Sequence, residues 1–317
     1  MQPPDNTPGW ERKALEKLAF EALAEQKSRR RWGIFFKFLG FAYLGVVLVT
    51  AVEWGGAGDQ QHEHTAMVSL QGVIEARGEA SGENLVSALT AAFEAPKSVG
   101  VILRINSPGG SPVQAGIVND EIRRLRGKYP DKPLYAVVED VCASGGYYVA
   151  VAADKIYVDK ASIVGSIGVL MDGFGFTGTM DKLGVERRLM TAGQNKGFMD
   201  PFSPQADVQK AHAQALLDDI HRQFIEVVRA GRGERLKETP EIFSGLVWTG
   251  AQSVQLGLAD AFGSVDSVAR DVIKVDKVLD YSVRDNIAER FAKRLGAGAV
   301  DSLWQGISAR LATWSLR

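Results

Sequence analysis

Apolar positions along this chain change their period several times. Over residues 11–31, Leu15, Leu18, Ala19, Ala22 and Leu23 recur at helical spacing, which predicts a short amphipathic helix. Residues 32–52 then read WGIFFKFLGFAYLGVVLVTAV, with Lys37 as the only charge, near one end where it can snorkel. A run of this length reaches across a hydrocarbon core, which predicts one transmembrane helix. Its aromatic residues cluster toward the N-terminal half and Trp54 follows its end, as interface anchors do. Residues 53–65 are polar and glycine-rich and read as a linker. A folded domain is expected from about Ala66 to residue 270, and an amphipathic C-terminal extension over 271–317.

Within the domain, strand-like and helix-like runs alternate. MVSLQGVI (67–74), VGVILRIN (99–106) and LYAVVED (134–140) are short apolar runs with β-branched residues, the mark of buried strands. Between them lie helical patterns over 82–95 and 111–126, the latter opening with Ser111 and Pro112, a good N-cap and first-turn pair. A helix is expected after Ser144, and short strands over 154–159 and 162–170. MDKLGV (180–185) should end a helix, and ERRLMTA (186–192) reads as a strand. A long helix is expected over 205–231 and a short one over 250–258. Strands alternating with helices imply parallel βαβ units and an α/β fold.

Composition changes this picture little. A chain of 317 residues with 45% hydrophobic and 24% charged residues has the material for a proper core. The formal net charge of -1 gives no global field that would draw nucleic acid. Charge distribution matters more. Lys27, Arg29, Arg30 and Arg31 directly precede the apolar run, so the positive-inside rule keeps residues 1–31 in the cytoplasm and sends the domain across. The one cysteine, Cys142, allows no internal disulfide.

Three stretches past strand ends can carry chemistry, since open α/β sheets place their sites there. Asn106-Ser107-Pro108-Gly109-Gly110-Ser111 turns into a helix N-terminus, where backbone N–H groups can face an anion. That suits an oxyanion hole; a plain βα turn is the alternative. Cys142-Ala143-Ser144-Gly145-Gly146 puts a serine at a strand-to-helix turn, mechanically like a nucleophile elbow but without the Gly-x-Ser-x-Gly form. A helix-capping serine is the alternative. Thr191–Phe202 is a loop with Lys196 among apolar and aromatic residues. A desolvated lysine can act as a general base, and a solvated loop lysine is the alternative. The four histidines, His62, His64, His212 and His221, do not follow strands, which argues against a Ser–His–Asp triad. No phosphate-binding or dinucleotide fingerprint is present, and no metal or cofactor is expected.

In order along the chain, N-S-P-G-G, A-S-G-G-Y-Y, A-D-K-I-Y, V-G-S-I-G-V, an A-G-x-x-K loop and a late W-x-G-x-x-A-x-x-x-G-L-A-D stretch cover roughly residues 67–265. Together they resemble the signal peptide peptidase A family of the Clp-protease/crotonase superfamily, in its short single-domain form. The resemblance implies a Clp-protease/crotonase-like spiral of βαβ units and a serine endopeptidase without cofactor. It implies Ser144 as nucleophile and Lys196 as general base. It also implies Ser166 as a hydroxyl that orients the lysine, and Gly110 and Gly145 as oxyanion donors. Its partners would be peptide substrates, above all signal peptides left in the membrane and misfolded exported polypeptides. It further implies a homo-oligomeric ring on the inner membrane with the catalytic domain on the periplasmic side. Three rivals are a related inner-membrane protease with other membrane-protein clients, a crotonase-like acyl-CoA enzyme and a catalytically idle scaffold.

Overall fold

The structure, a computed structural model, describes residues 10–57 and 62–283; at 10, 11, 13, 14, 22, 24 and 48–57 it describes the backbone alone. The chain divides into two units, Met1–Gln61 and His62–Arg317. Most of the predicted C-terminal extension, from residue 284 onward, lies outside the described residues.

The first unit holds one helix, α1 (Trp10–Ala57), which runs unbroken through both the amphipathic and the apolar stretch and through the first five residues of the expected linker. Phe38 and Phe41 are each 76% exposed, and the apolar side chains from Trp32 to Val47 are exposed in the same way. Among the described residues, no helix is long and apolar enough to cross a membrane. The expected span over 32–52 extends past Val47, so its last five side chains lie outside the described residues.

The second unit is an α/β domain. Its elements are β1 (His64–Gln71), α2 (Gly82–Glu94), β2 (Ser98–Ser107), α3 (Pro112–Lys128), β3 (Leu134–Ala143), α4 (Gly145–Ala150), β4 (Lys155–Val158), β5 (Ile163–Gly165), α5 (Thr177–Leu183), α6 (Asp207–Arg232), β6 (Val247–Thr249), α7 (Gly250–Gln255), β7 (Ala261–Phe262), α8 (Val265–Ser267) and β8 (Val278–Asp280). The sheet runs β6-β5-β3-β2-β1-β8, with every pairing parallel except β5 with β6. The expected parallel βαβ arrangement is therefore present.

Strand β3 forks. Tyr135–Val137 pair with β4, whereas Val141–Ala143 pair with β5. Between them the register against β2 slips, because Ile105 faces Val138 while Ser107 faces Cys142. The extra residues at Glu139–Val141 bend the strand, as a bulge does. That bend carries Ala143 and Ser144 toward the ends of β2 and β5. One core holds the layers together: Leu70, Leu103, Ile105 and Val138 from the strands meet Leu89, Phe93, Ile122 and Leu125 from α2 and α3.

Three expectations need correction. The folded unit starts before Ala66: His64 and Thr65 are fully buried at the head of β1, and the ring of His64 hydrogen-bonds Tyr281 Oη at 2.8 Å. It also runs past residue 270, because β8 pairs in parallel with Thr65–Met67. Residues 186–192 form no strand. Leu189 and Met190 are exposed and the segment pairs with no strand among the described residues, and a β pattern without a partner has nothing to hold it extended.

The late Gly-Leu-Ala-Asp run is structural. Asp260 takes both terminal nitrogens of Arg232, at 2.8 and 3.0 Å, and accepts the Ile156 N–H at 2.7 Å. This pins α6 and β4 to the segment before β7. Tyr147 Oη, buried, donates to Leu258 O at 2.8 Å and ties α4 to the same segment.

Candidate active site

Ser144 occupies the first turn position after β3 with φ 51° and ψ -123°, a region that side-chain-bearing residues rarely adopt. It stands where a helix N-cap would be, yet its hydroxyl makes no capping hydrogen bond. The capping alternative is thereby removed. By contrast Ser111 does cap α3, accepting from Gln114 N. The Ser144 backbone is held instead by its own N–H donating to Gly165 O at 2.8 Å, and by Tyr148 N donating to its carbonyl at 3.0 Å. The side chain is half-buried and its Oγ is unpartnered among the described residues.

Glycines let a second turn come against this one. A Cβ on Gly109 would lie 2.7 Å from both Ser144 Cβ and Gly145 N, and Gly109 has φ 103°. Gly110, at φ 147°, is clamped to Ile74. Ile74 N donates to Gly109 O at 2.8 Å, Ser111 N donates to Ile74 O at 2.8 Å, and a Cβ on Gly110 would meet Ile74 O at 2.1 Å. Neither the Gly110 N–H nor the Gly145 N–H donates to any described residue. A Cβ built on Gly145 would lie 3.2 Å from Gly110 N, so the two free donors are neighbours beside the Ser144 turn. Converging unpaired N–H groups at such a turn can hold a developing oxyanion.

Ser166 stands next to Ser144 through the backbone, since Gly165, which accepts the Ser144 N–H, directly precedes it. It too has a positive φ, 52°, and it is anchored by Ser166 N donating to Leu246 O at 2.7 Å. Its half-buried hydroxyl is free among the described residues.

Lys196 is not brought to this group. It lies in the turn following Gly193, its side chain is exposed, and no hydrogen bond or ion pair joins its Nζ to a described residue. The expected desolvated setting is absent in a single copy of the chain. The loop around it leans on α6 through the edge-on contact of Phe198 with His212, 5.8 Å between centroids. No histidine bonds to Ser144; His221 instead reaches Ile167 O at 3.2 Å. Cys142 is fully buried, and burial pushes its thiol far above the usual range, so it is not a competing nucleophile. Among the described residues no cluster could hold a metal ion.

Comparison with known proteins bears on the class of protein. Residues 127–279 match the family model described as Peptidase family S49, which together with the relatives below supports a serine peptidase. Relatives named signal peptide peptidase SppA and protease 4 support the SppA type. A protein of Enterococcus faecium, provisionally named signal peptide peptidase SppA, is 29% identical over 252 residues, 76% of this chain and 72% of its own. Protease 4 of Haemophilus influenzae is 30% identical over 231 residues, 71% of this chain and 37% of its own. A Brucella melitensis protein named Na(+)/H(+) antiporter NhaA is 43% identical over 209 residues, 64% of this chain but 28% of its own. The chain thus spans little more than a quarter of that relative, and the name describes the whole of it. Among solved structures, a mutant of the 1510-N membrane-bound stomatin-specific protease aligns with TM-score 0.46 at 11% identity, over 71% of this chain and 99% of that one.

Proposed function

We propose that this chain is a membrane-anchored serine endopeptidase with a Ser144–Lys196 dyad on a Clp-protease/crotonase-like fold, degrading cleaved signal peptides and misfolded exported polypeptides. The observation that carries the reading is Ser144 itself: a strained residue at a strand-to-helix turn, with its hydroxyl uncommitted and two unpaired N–H groups beside it. In this mechanism a neutral Lys196 Nζ takes the Ser144 proton as Oγ attacks a peptide carbonyl. Gly110 and Gly145 N–H hold the oxyanion, each such donor being worth roughly 2.7–4 kcal/mol. Lysine then returns the proton to the leaving amine, and water releases the acyl group from Ser144. Ser166 orients the lysine.

The exposed position of Lys196 bears on assembly. The segment around it also exposes Leu170, Phe174, Leu183 and Met190, apolar side chains that water-facing loops seldom carry together. In this reading other copies of the chain cover that segment in a homo-oligomeric ring, and the lysine meets a serine there. The apolar, outward-facing side chains of 32–47 support an anchor in the inner membrane, with residues 1–31 cytoplasmic and the domain periplasmic.

Fluorophosphonate labelling with peptide mapping tests the site: Ser144 should be the modified residue, and labelling elsewhere with Ser144 untouched would end the reading. Ser144→Ala and Lys196→Ala should each abolish peptide turnover. Mixing the two inactive chains should restore activity where the dyad crosses between copies and leave none where it forms within one copy. Signal peptides offered against fragments of membrane proteins would separate the two client classes.

A further inference from the structure

Ser107, the serine of the Asn-Ser-Pro-Gly-Gly turn, lies outside the dyad and the oxyanion donors. It is fully buried at the end of β2. Its Oγ donates to Gly72 O at 2.6 Å and accepts the Gly109 N–H at 3.2 Å. Gly72 in turn donates its N–H to Asn106 O at 2.9 Å, so the loop after β1 and the loop after β2 are cross-linked from both sides. Two residues further along each loop, Ile74 and the pair Gly109 and Ser111 exchange the bonds that clamp Gly110. The same serine also buttresses the other turn, because a Cβ on Gly146 would sit 3.0 Å from Ser107 O and 3.3 Å from Ser107 Cβ.

We propose that Ser107 is a positioning residue for the oxyanion donors: its hydroxyl sets where the Gly110 N–H stands relative to the Gly145 N–H. The inference rests on the serine-peptidase reading of Ser144. Gly109 and Gly110 both have positive φ and carry no side chain, so the turn has little stiffness of its own. The hydroxyl bridge fixes the Gly109 N–H and so the Pro108–Gly109 peptide plane, from which the peptide carrying the Gly110 N–H departs. Removing it loosens that first plane and leaves the Ile74 bonds alone to set the tilt of the Gly110 N–H. A donor displaced by about 1 Å stabilises the transition state far less, while the ground-state substrate is held as before.

The test uses the full chain and an apolar peptidyl-coumarin substrate. Ser107→Ala should lower kcat about 10- to 100-fold, less than the loss from deleting a donor outright, with KM within about twofold of the parent. Affinity for a peptide aldehyde, which forms the tetrahedral adduct, should fall in parallel. Affinity for the product peptide should not change. The Ser107→Thr and Ser107→Val pair guards against a folding defect, since both add the same bulk and only threonine keeps the hydroxyl. Threonine should retain activity well above valine, and equal activity in the two would overturn the proposal. So would a loss confined to KM, or an alanine variant with parental kcat. Ser144→Ala assayed alongside keeps the two questions apart: an active Ser144→Ala overturns the peptidase reading, whereas an inactive one beside a fully active Ser107→Ala overturns only this inference.

Discussion

Replacing Asp260 by asparagine should cost more stability than any surface change of similar size. Arg232 is 1% exposed and Asp260 13%, so this is a buried ion pair. One carboxylate oxygen accepts from both Ile156 N and Arg232 Nη1; the other accepts from Arg232 Nη2 and Arg235 Nη1. An amide can supply an oxygen at only one of these two places. Its NH2 group then faces two donors, and the guanidinium keeps its charge with Gly257 O as its remaining close acceptor. Removing one partner of such a pair costs about 3–5 kcal/mol. For a domain of this size that corresponds to a fall in Tm of roughly 6–20 °C. Urea unfolding of parent and variant, followed by circular dichroism, reads the difference directly. The pair also has a pH signature. Burial by itself would raise the Asp260 carboxyl, but the Arg232 hydrogen bonds and charge, the Ile156 N–H and Arg235 outweigh it and hold it below the usual carboxylate range. A carboxyl depressed in the folded state stabilises fully above its unfolded value of about 3.9 and loses that contribution as pH falls through the folded value. The parent should therefore lose stability below about pH 4 by a step that Asp260→Asn lacks. A loss under about 1 kcal/mol for the variant would refute the argument that this pair pins α6 to β4.

Other outcomes follow from the same geometry. Gly257→Ala should be strongly destabilising in thermal unfolding, because its Cβ would lie 1.7 Å from Arg235 O at φ 74°. Gly116→Ala, inside α3 with nothing within 4 Å of the added Cβ, should instead stabilise by about 0.5–1 kcal/mol. Tyr147→Phe should cost about 1–2 kcal/mol by leaving the buried Leu258 carbonyl unpaired, again read by urea unfolding. Cys142 should resist iodoacetamide at pH 8 in the native chain and react only when urea unfolds it; Cys142→Ala should keep full peptidase activity.

Much of the fold was legible because its strands are buried on both faces and its helices carry one apolar stripe. β2 and β3 read as unbroken apolar runs, and α3 announced itself with Ser111 and Pro112, which do cap and open it. The domain edges were less legible. His64 looked like part of a polar linker, since nothing local reveals that a distant Tyr281 stacks on it and bonds its ring. Strand β8 is three residues long, too short to show a period, and exists because β1 offers it an edge. At the candidate site, the glycine turns told which backbone segments approach each other. They did not tell that Ser107 or Ile74 would hold those turns, because a single hydroxyl inside a turn motif carries no periodic signal. Nor did the apolar residues flanking Lys196 bury it, for local composition does not say whether another surface lies over a loop.

This contrast between the two halves of the proposed dyad has a physical basis. Ser144 and the Gly110 and Gly145 donors sit on loops at the ends of β2 and β3, where the sheet and the α3 and α4 helix starts over-determine the backbone. Such positions can store the strain of Ser144 at φ 51° because the surrounding hydrogen bonds leave it no alternative. Lys196 sits between α5 and α6, in a stretch whose backbone bonds are short-range turns apart from Phe176 N to Pro201 O, and whose side chains are mostly exposed. On the proposed reading the nucleophile and its oxyanion donors are preformed in each copy, and the base is completed only on assembly. An isolated copy should then label weakly at Ser144 and turn over no peptide. Diluting the detergent-solubilised chain below its dissociation constant should abolish turnover while leaving circular dichroism unchanged. Turnover per chain that stays constant through dissociation would show instead that Lys196 reaches Ser144 within one copy.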